Sequence, residues 1–446
     1  FICGTIAFQI GKSVIRKQLT QISIEAPYGS KTKLYLPDGT LVWLNAGSKM
    51  SYAQDFGINE RALNLTGEAY FEVTKNKHIP FKVHTDELDV KVLGTKFNFR
   101  NYQDLQLDFD KGTNIFYGDN AQGKTNIIES IFISAFGKSF RTSKEKELIK
   151  YDENFLNINL KYKNSSREGY IKIQIADKKN VIVNGIKIKK LSDLLGNINV
   201  VLFTPDDINI LKNGPAQRRR FLDMMIGQIR PNYVHNLNMY LKVLEQRNNY
   251  LKQLKSTNGN YDLLDIWDEK LAEYANKVCL YRLEFIKKIM DKINEIHSKI
   301  TENKEEIRVE YLTDCENKEK LLSLIRERRA LDIIKGFTTK GAHRDDFNIY
   351  INDNLVNVYG SQGQHRTAVL SLKMCELQII KEEINESPIL LLDDFMSELD
   401  AKRRKNFLNN IGDTQVIITC TDEIKDEFES KSVFYVNNGV IKKELD

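Results

Sequence analysis

Residues 117–125 read YGDNAQGKT and constrain the fold of this chain more than any other segment. Four residues separate two glycines, and a lysine and a threonine follow the second glycine directly. Such glycines let the backbone curl so that its N–H groups converge on phosphate oxygens. The spacing therefore predicts a loop that binds ATP, in which Lys124 reaches the β- and γ-phosphates and the Thr125 hydroxyl ligates Mg²⁺. The predicted nucleotide-binding residues are Gly118, Asp119, Asn120, Ala121, Gln122, Gly123, Lys124 and Thr125.

The residues around the loop favour the same interpretation. Residues 112–117 form a short β-type apolar run, and residues 126–135 have the composition of a helix. A helix that begins at the loop directs its positive end toward bound phosphates. This order of strand, loop and helix disfavours the alternative, a chance glycine-rich turn.

A second segment, residues 387–394 (SPILLLDD), is an apolar run that ends in two carboxylates. This arrangement is typical of the Walker B strand, in which Asp393 would hold Mg²⁺ through water and Asp394 would polarise the attacking water. We therefore predict that Lys124 and Asp394 are catalytic and that Thr125 and Asp393 bind the metal. The alternative is an ordinary turn at a strand end.

The segment SQGQ at residues 361–364 precedes a predicted helix and resembles the signature motif of ABC-type ATPases. The resemblance assigns Ser361, Gly363 and Gln364 to the nucleotide site. In that class, the signature motif of one protomer completes the phosphate site of another, so the resemblance implies an ATP-dependent homodimer with two composite sites. Residues 397–400 match the loop that passes across the dimer interface in the same class.

Further segments make residues 98–446 resemble the RecF family. The segments are NFRNY (98–102), FYGDNAQGKTN (116–126), GKSFRT (137–142), FTPDD (203–207), QRRRFLD (217–223), GAHRDD (341–346) and LLLDDFMSELD (390–400). The resemblance implies an ABC-type P-loop ATPase head of α/β class with a short antiparallel helical arm or second lobe. It also implies functions in DNA repair and replication, with dimerisation on single-stranded or gapped DNA. RecO and RecR are the implied partners in recombinase loading, and a role in the SOS response is implied as well. The sequence contains no base-reading motif, so sequence-specific binding is not predicted.

The same resemblance assigns Arg100 to the adenine site. Two departures from the ABC pattern bear on catalysis. Residues 204–207 occupy the place of the Q-loop but end in Asp207, so a metal role there is open. The run at 416–419 leads into cysteine, threonine and aspartate where transporters of this class have a switch histidine. The missing imidazole predicts slow ATP hydrolysis, and the RecF resemblance implies that this hydrolysis depends on DNA.

The first hundred residues have a different character, because short β-type runs alternate with turn signals such as PDG at 37–39. Four stretches resemble the extracytoplasmic domain of FecR-type anti-sigma regulators. They are YGSKTKLYLPDGTLVWLNAGS (28–48), LTGEAYFEV (65–73), PFKVHT (80–85) and KVLGTKFN (91–98). We therefore expect a small all-β domain at 24–97, after a remnant of a membrane segment or linker at 1–23.

Both resemblances claim residues 97–99, and no linker separates them. The chain therefore has the pattern of a chimera, whether natural, engineered or mis-joined, and an accidental join is favoured. The RecF pattern lacks its first edge strand here, and residues 87–93 could replace it by pairing with 105–109. The expected division is 24–97, then a head at 98–214 and 331–446, with the arm at 215–330.

Within the arm, leucines from 237 to 251 and isoleucines from 286 to 300 form two heptad seams, which predict two antiparallel helices joined near 256–260. Basic clusters at 187–190, 218–220, 326–329 and 402–405 could contact DNA phosphates or could be solvated surfaces. We favour a functional or structural role for 218–220 and leave the others open. A chromosome-organising coiled-coil ATPase is disfavoured by the short arm.

Composition sets the remaining limits. The net charge of +5 permits contact with nucleic acid without requiring it. The five cysteines are far apart, which favours a reducing compartment and the cytoplasm. The apolar run at 1–10 is about half of the ~20 residues that span a bilayer, so no membrane is expected for the ATPase part. The alternative function is an extracytoplasmic FecR-type regulator with a vestigial ATPase domain.

Overall fold

The computed structural model describes residues 21–26, 32–44, 48–84, 89–92, 96–101, 107–150, 153–165, 167–256, 261–394, 404, 406–408, 411–421, 431–437 and 439–444. Contacts divide the chain into an N-terminal unit, Phe1–Asp108, and a C-terminal unit, Phe109–Asp446. This division lies after the boundary at 97/98 that the sequence suggests.

The described part of the N-terminal unit consists of strands and turns. Its strands are β1 (Gln21–Glu25), β2 (Thr32–Tyr35), β3 (Leu41–Leu44), β4 (Lys49–Ala53), β5 (Arg61–Glu72), β6 (Phe81–His84), β7 (Asp89–Val92) and β8 (Lys96–Asn101). They form one sheet in the order β1-β4-β5-β3-β2, and β5 also pairs with β6 and β8. Alternate residues of β5, such as Leu63, Leu65 and Phe71, are buried in the core of the unit. The predicted small β region is confirmed.

One buried arginine ties the turns of this unit together. Arg61 is 1% exposed, and its guanidinium donates to Asp38 at 3.1 Å. It also donates to the carbonyl oxygens of Thr74 and Ile79, both at 2.7 Å. A buried charge is tolerated only when it is paired and hydrogen-bonded, and these partners meet that requirement.

The structure places the NFRN residues of the RecF-like segment 98–102 in the N-terminal sheet. β8 pairs antiparallel with β5, so that Phe99 faces Ala69 and Arg100 faces Glu68. The described part of the predicted segment 87–93 is β7, which pairs with β6. The expected pairing of 87–93 with 105–109 stays a prediction, because residues 105 and 106 lie outside the described part of the chain. The edges of β5 and β6 offer unpaired backbone groups to β8 and β7, and pairing satisfies them. Residues 107–109 are irregular, whereas 102–106 lie outside the described residues.

The C-terminal unit contains the remaining elements. They are β9 (Thr113–Tyr117), α1 (Lys124–Phe136), β10 (Leu156–Lys163), β11 (Glu168–Ile175), β12 (Lys179–Val183), β13 (Ile186–Lys187), β14 (Val200–Phe203), α2 (Asn209–Lys212), α3 (Pro215–Gly227), α4 (Pro231–Ser256), α5 (Asp262–Thr301), β15 (Ile307–Leu312), α6 (Lys318–Glu327), α7 (Arg329–Lys335), β16 (Asp346–Ile351), β17 (Asn354–Leu355), α8 (Val356–Tyr359), α9 (Gln362–Ile384), β18 (Ile389–Asp393), β19 (Val416–Cys420), β20 (Lys431–Asn437) and β21 (Val440–Lys443).

The main sheet of this unit has the order β14-β18-β19-β9-β20-β21. Neighbours from β14 to β20 are parallel, and β21 is antiparallel to β20. Strands β14, β18 and β19 are almost fully buried, as their apolar runs predict for a parallel sheet covered on both faces. Because the strands are parallel, their carboxyl ends share one edge, where ligands bind in such folds.

In the predicted arm, α4 and α5 pack against each other, and the isoleucine seam of α5 is buried from Ile286 to Ile300. The leucine seam of α4 is confirmed only in part, since Leu241 is 47% exposed and Tyr240 and Val243 are buried instead. The arm is also not wholly helical, because β15 pairs with β16. The joint at 257–260 lies outside the described residues.

A buried polar cluster explains why α4 departs from a simple heptad. Arg247 is fully buried and donates to Asp268 of α5, Asp332 of α7 and Thr338, at 2.7 to 2.8 Å. A paired guanidinium at this position fixes which faces of the helices meet. Across the described ranges, no helix combines the length and apolarity needed to cross a membrane.

Candidate nucleotide-binding site

The loop between β9 and α1 has the backbone that its glycines predict. Gly118 has φ +147°, and a Cβ there would lie 2.3 Å from the carbonyl oxygen of Val436 on β20. Gly123 has φ +101° and precedes α1, while Ala121 has φ +63°. No side chain caps the start of α1. Its first N–H groups can therefore donate to an anion, and the helix dipole favours negative charge there.

Lys124 lies inside the loop. Its side chain is buried, and Nζ donates to the carbonyl oxygens of Gly118 at 2.6 Å and Asp119 at 2.7 Å. The ammonium therefore lies at the centre of the curled backbone, where phosphate oxygens would compete with these carbonyls. The side chains of Asp119 and Asn120 are exposed at the outer side of the loop.

The predicted metal pair is close together in the structure. The Thr125 hydroxyl donates to Oδ1 of Asp393 at 2.9 Å, and the carboxylate is 8% exposed. One hydroxyl and one carboxylate suit Mg²⁺, which usually keeps several waters and takes the rest of its ligands from substrate phosphates. Thr125 and Asp393 would hold the ion, and bound Mg²⁺ would neutralise phosphate charge.

Thr419 is a site residue that the sequence reasoning missed. Its hydroxyl donates to Oδ1 of Asp393 at 2.8 Å and accepts the N–H of Asp394 at 3.1 Å. Asp394 has φ +50°, so its backbone turns sharply at the end of β18. Thr419 thereby holds the carboxylate of Asp393 and the backbone of Asp394. A usable signal was present, because β19 (VIITC) is apolar until this threonine.

The signature-like segment begins α9. Ser361 and Gln364 form a reciprocal cap, since Ser361 Oγ accepts the N–H of Gln364 and Gln364 Oε1 accepts the N–H of Ser361. The Gln364 Nε2 also donates to Glu305 at 2.9 Å. Ser361 is exposed, so the start of α9 and Gly363 are available to an incoming group. The structure therefore presents these three predicted residues at one helix start.

Other predicted positions fall elsewhere. Arg100 lies on β8 of the N-terminal unit, and its side chain is outside the described part, as are residues 397–400. Asp207 is half-buried and caps its own turn, accepting the N–H of Thr204 at 2.7 Å. Burial raises the pKa of Asp207, against the opposing charge of Lys373. These contacts give Asp207 a structural role.

The basic clusters divide by their contacts. Arg218 makes two hydrogen bonds to Asp346, at 2.6 and 3.0 Å, and also donates to two backbone carbonyls, so it is structural. Arg326 and Arg329 pair with Asp265. Residues 187, 189 and 190 are exposed lysines, and of 402–405 only residue 404 is described.

His343 is structural too. Its Nδ1 lies 2.6 Å from the Tyr240 hydroxyl, and its Nε2 lies 3.0 Å from the Thr338 carbonyl oxygen. Burial lowers the pKa of His343 to about 4, so the ring is neutral at pH 7. The cysteines at 279, 315, 375 and 420 are all buried.

The fold and site together define the α/β head of an ABC-type P-loop ATPase, as the sequence predicted. Comparison with known proteins is consistent with this class. A family model described as the RecF/RecN/SMC N terminal domain matches residues 94–442, and one described as FecR protein matches 22–110. The two matches overlap around the segment that both resemblances claimed.

Curated relatives narrow the class. Over 356 residues the chain is 44% identical to the DNA replication and repair protein RecF of Clostridium acetobutylicum, covering 77% of this chain and 97% of the relative. The Clostridium botulinum protein of the same name is 46% identical, covering 78% and 97%. A solved structure of the recombination mediator protein RecF with ATP, in the RecFOR pathway, has a TM-score of 0.71 at 36% identity and covers 78% and 94%. The chain belongs to the RecF family.

Proposed function

We propose that the C-terminal unit binds and hydrolyses Mg²⁺·ATP as an ATPase of recombinational DNA repair. The observation that carries the proposal is the contact between Thr125 and Asp393 at 2.9 Å, next to a loop that encloses the Lys124 ammonium. Phosphoryl transfer needs a cation, a metal and an oriented water, and the site supplies groups for each. Asp394, held by Thr419, is the proposed water-orienting carboxylate.

The test is nucleotide binding and hydrolysis by K124A, with K138A as the matched control. Lys138 is an exposed lysine just after α1 and lies outside the loop. Loss of charge-assisted hydrogen bonds should lower ATP affinity by about 100-fold in K124A and leave K138A unchanged. Hydrolysis by K124A at the wild-type rate would refute the proposal.

We further propose an ATP-dependent homodimer, in which the exposed start of α9 from one protomer meets the loop at 118–125 of the other. The uncapped N–H groups of α1 and the start of α9 at the exposed Ser361 are both helix N-termini, so phosphates bound between them would join the two protomers. Sedimentation velocity with and without Mg²⁺·ATP tests the dimer, and S361R should block it. A wild-type chain that stays monomeric at saturating ATP contradicts it.

DNA is the proposed partner, and the sheet β10-β11-β12-β13 offers a surface for it. One face is buried and packs near α1, through Ile158, Ile171 and Ile173. The other face carries Lys161, Lys172 and Lys187, all exposed. Strand pairing places Lys172 and Lys187 in one row, each facing Ile182 of the strand between them. Lysines spaced in this way can contact consecutive phosphates without reading bases.

Salt dependence of binding tests this surface. Each phosphate contact contributes about 0.9 to the slope of log affinity against log salt on duplex DNA, or about 0.7 on single strands. The triple variant K161A/K172A/K187A should therefore lower the slope by about 2 to 3. The control is K277A/K299A, since both lysines lie on α5 and pair with a glutamate four residues earlier. An unchanged slope in the triple variant rules out this face.

The name of the solved relative supports the finer part of the proposal. That relative is a recombination mediator in the RecFOR pathway, so RecO and RecR are the proposed partners in recombinase loading at single-stranded gaps, in the cytoplasm and within the SOS response. Hydrolysis is proposed to be slow and DNA-dependent, because β19 ends in threonine and cysteine, which supply no imidazole. Single-turnover rates with and without gapped DNA test this, and fast DNA-independent turnover contradicts it.

A second candidate is a FecR-type signalling regulator. The sheet β1–β8 has its own buried core, and the FecR model matches residues 22–110; both findings favour this candidate. That candidate requires a vestigial ATPase, so measurable hydrolysis that K124A abolishes decides against it.

A further inference from the structure

The signature-like segment is held by a group outside its own helix. Both ends of the Gln364 amide are bound: Oε1 accepts the N–H of Ser361 at 2.9 Å, and Nε2 donates to Oε1 of Glu305 at 2.9 Å. Glu305 lies in the connection between α5 and β15, so it belongs to the arm. Through Glu305, the arm therefore fixes the orientation of the Gln364 amide, and the oxygen of this amide caps the start of α9 at Ser361.

A buried histidine stands behind Glu305. His297 lies in the last turns of α5 and is fully buried. Its Nε2 is 3.4 Å from the second carboxylate oxygen of Glu305, and its Nδ1 is 2.9 Å from the Ser371 hydroxyl of α9. The imidazole thus lies between Glu305 and the middle of the signature helix, and it limits how far the carboxylate can move.

Two more hydrogen bonds continue the chain of contacts toward the glycine of the motif. The Ser371 hydroxyl contacts the carbonyl oxygen of Thr367 at 2.9 Å, and the Thr367 hydroxyl donates to the carbonyl oxygen of Gly363 at 2.6 Å. Glu305 and His297 therefore connect to the first turn of α9 by two routes, through Gln364 and through Ser371. A displacement of α5 would therefore shift the first turn of α9 through both routes.

We propose that Glu305 and His297 are positioning residues that couple the arm helix α5 to the signature-like segment, and so to the nucleotide site of the partner protomer. The inference rests on the ATP-dependent dimer proposed above. Glu305 keeps the Gln364 amide from turning, and the fixed amide keeps Ser361 and Gly363 in the geometry that meets the partner's γ-phosphate. Movement of the arm then changes how tightly two chains hold ATP between them.

The decisive experiment separates nucleotide binding from dimerisation in E305A and E305Q. The glutamine variant keeps an oxygen that accepts from Gln364, whereas alanine removes it. The control is E382A, because Glu382 pairs with Lys292 at 2.7 Å and so also joins α9 to α5, far from the first turn. Thermal unfolding of each variant shows whether the fold is intact.

We expect E305A to weaken the ATP-dependent dimer by about tenfold or more, from the loss of a charge-assisted hydrogen bond at each of two sites. ATP affinity of the monomer should stay at the wild-type value, and E305Q and E382A should dimerise nearly as the wild type does. Equal dimer affinity in E305A and wild type overturns this inference alone. Parallel loss of monomer ATP affinity also overturns it, because a general structural defect would do that.

Mixed dimers test the action in trans. E305A keeps a working loop and K124A keeps a working signature segment, so a mixture of the two contains dimers with one intact composite site. Neither homodimer contains an intact composite site, so the mixture should hydrolyse ATP faster than the average of the two variants measured alone. A rate at or below that average overturns the assignment, whereas a wild-type chain that never dimerises with ATP removes the proposed function and this inference with it.

Discussion

Thr419 offers the sharpest test of how the site is built. The substitution T419V keeps the shape of the side chain and removes its hydroxyl. Asp393 then loses the donor at 2.8 Å and keeps the Thr125 donor at 2.9 Å. The Asp394 N–H loses one acceptor but retains the Thr419 carbonyl oxygen at 3.1 Å. The net change is thus one hydrogen bond to a buried carboxylate.

A hydrogen bond to a charged group contributes about 1.5–3 kcal/mol, so T419V should lower the free energy of unfolding of the C-terminal unit by about 2 kcal/mol. No cavity term is added, because valine fills the same volume. The Asp393 carboxylate, which has one orienting donor fewer in T419V, should also hold Mg²⁺ less well. We therefore expect the affinity for Mg²⁺·ATP to fall by about tenfold. Affinity for ATP in the presence of a chelator should not change, because the loop is intact.

The assays are denaturant unfolding and nucleotide titration with and without Mg²⁺. The matched control is T414V, because Thr414 is buried just before β19 and donates to the neutral carbonyl of Ile411. That variant should cost about 1 kcal/mol and leave the Mg²⁺ dependence untouched. If T419V binds Mg²⁺·ATP as the wild type does and unfolds with the stability of T414V or better, Thr419 does not orient Asp393.

Three further predictions concern other parts of the molecule. G118A should lower ATP affinity at least tenfold, since its Cβ would lie 2.3 Å from a β20 carbonyl oxygen, whereas G214A, with open space around the Cβ, should be neutral in a titration. R61M should destabilise the N-terminal unit by about 3–5 kcal/mol, because it leaves Asp38 buried without its guanidinium, and proteolysis of that unit would report it. The pKa of His343 is about 4 in the folded protein, below its ordinary 6.5. The neutral ring therefore stabilises the folded state fully above pH 6.5, and this stabilisation is lost as the pH falls toward 4. As the pH falls toward 4, the free energy of unfolding should decrease by about 3 kcal/mol less in H343Q than in the wild type. Identical pH profiles of unfolding for the two proteins would exclude this role of His343.

Motifs with fixed spacing were predictable because their geometry is local. The glycines at 118 and 123 determine a backbone that only a few residue types can adopt, and the apolar run before Asp393 could only be a buried strand. The Thr125 hydroxyl and the Asp393 carboxylate lie 2.9 Å apart because parallel strands end at one edge of a sheet. The remaining features of the predicted ATPase class came from the family resemblance.

The failures arose where distant residues decide the outcome. β15 lies in a stretch with helical neighbours, and only its pairing with β16 makes it a strand. The α4 seam was misassigned at Leu241 because Arg247 and its acidic partners, far apart in sequence, choose the buried face. Residues 96–101 joined the N-terminal sheet because β5 has an edge to pair. Periodicity carries no information about such partners.

The position of β9 bears on how the protein is made. This strand pairs only with β19 and β20 among the described strands, so its neighbours are translated about 300 residues after it. A ribosome at 5–20 residues per second needs about 15–60 s to cover that distance. During this interval the sheet around the loop at 118–125 has not formed, and the apolar strand β9 lacks the strands β19 and β20 with which it pairs. Nascent chains of this protein should therefore depend on chaperones, and should gain the ability to bind nucleotide only after β20 leaves the ribosome.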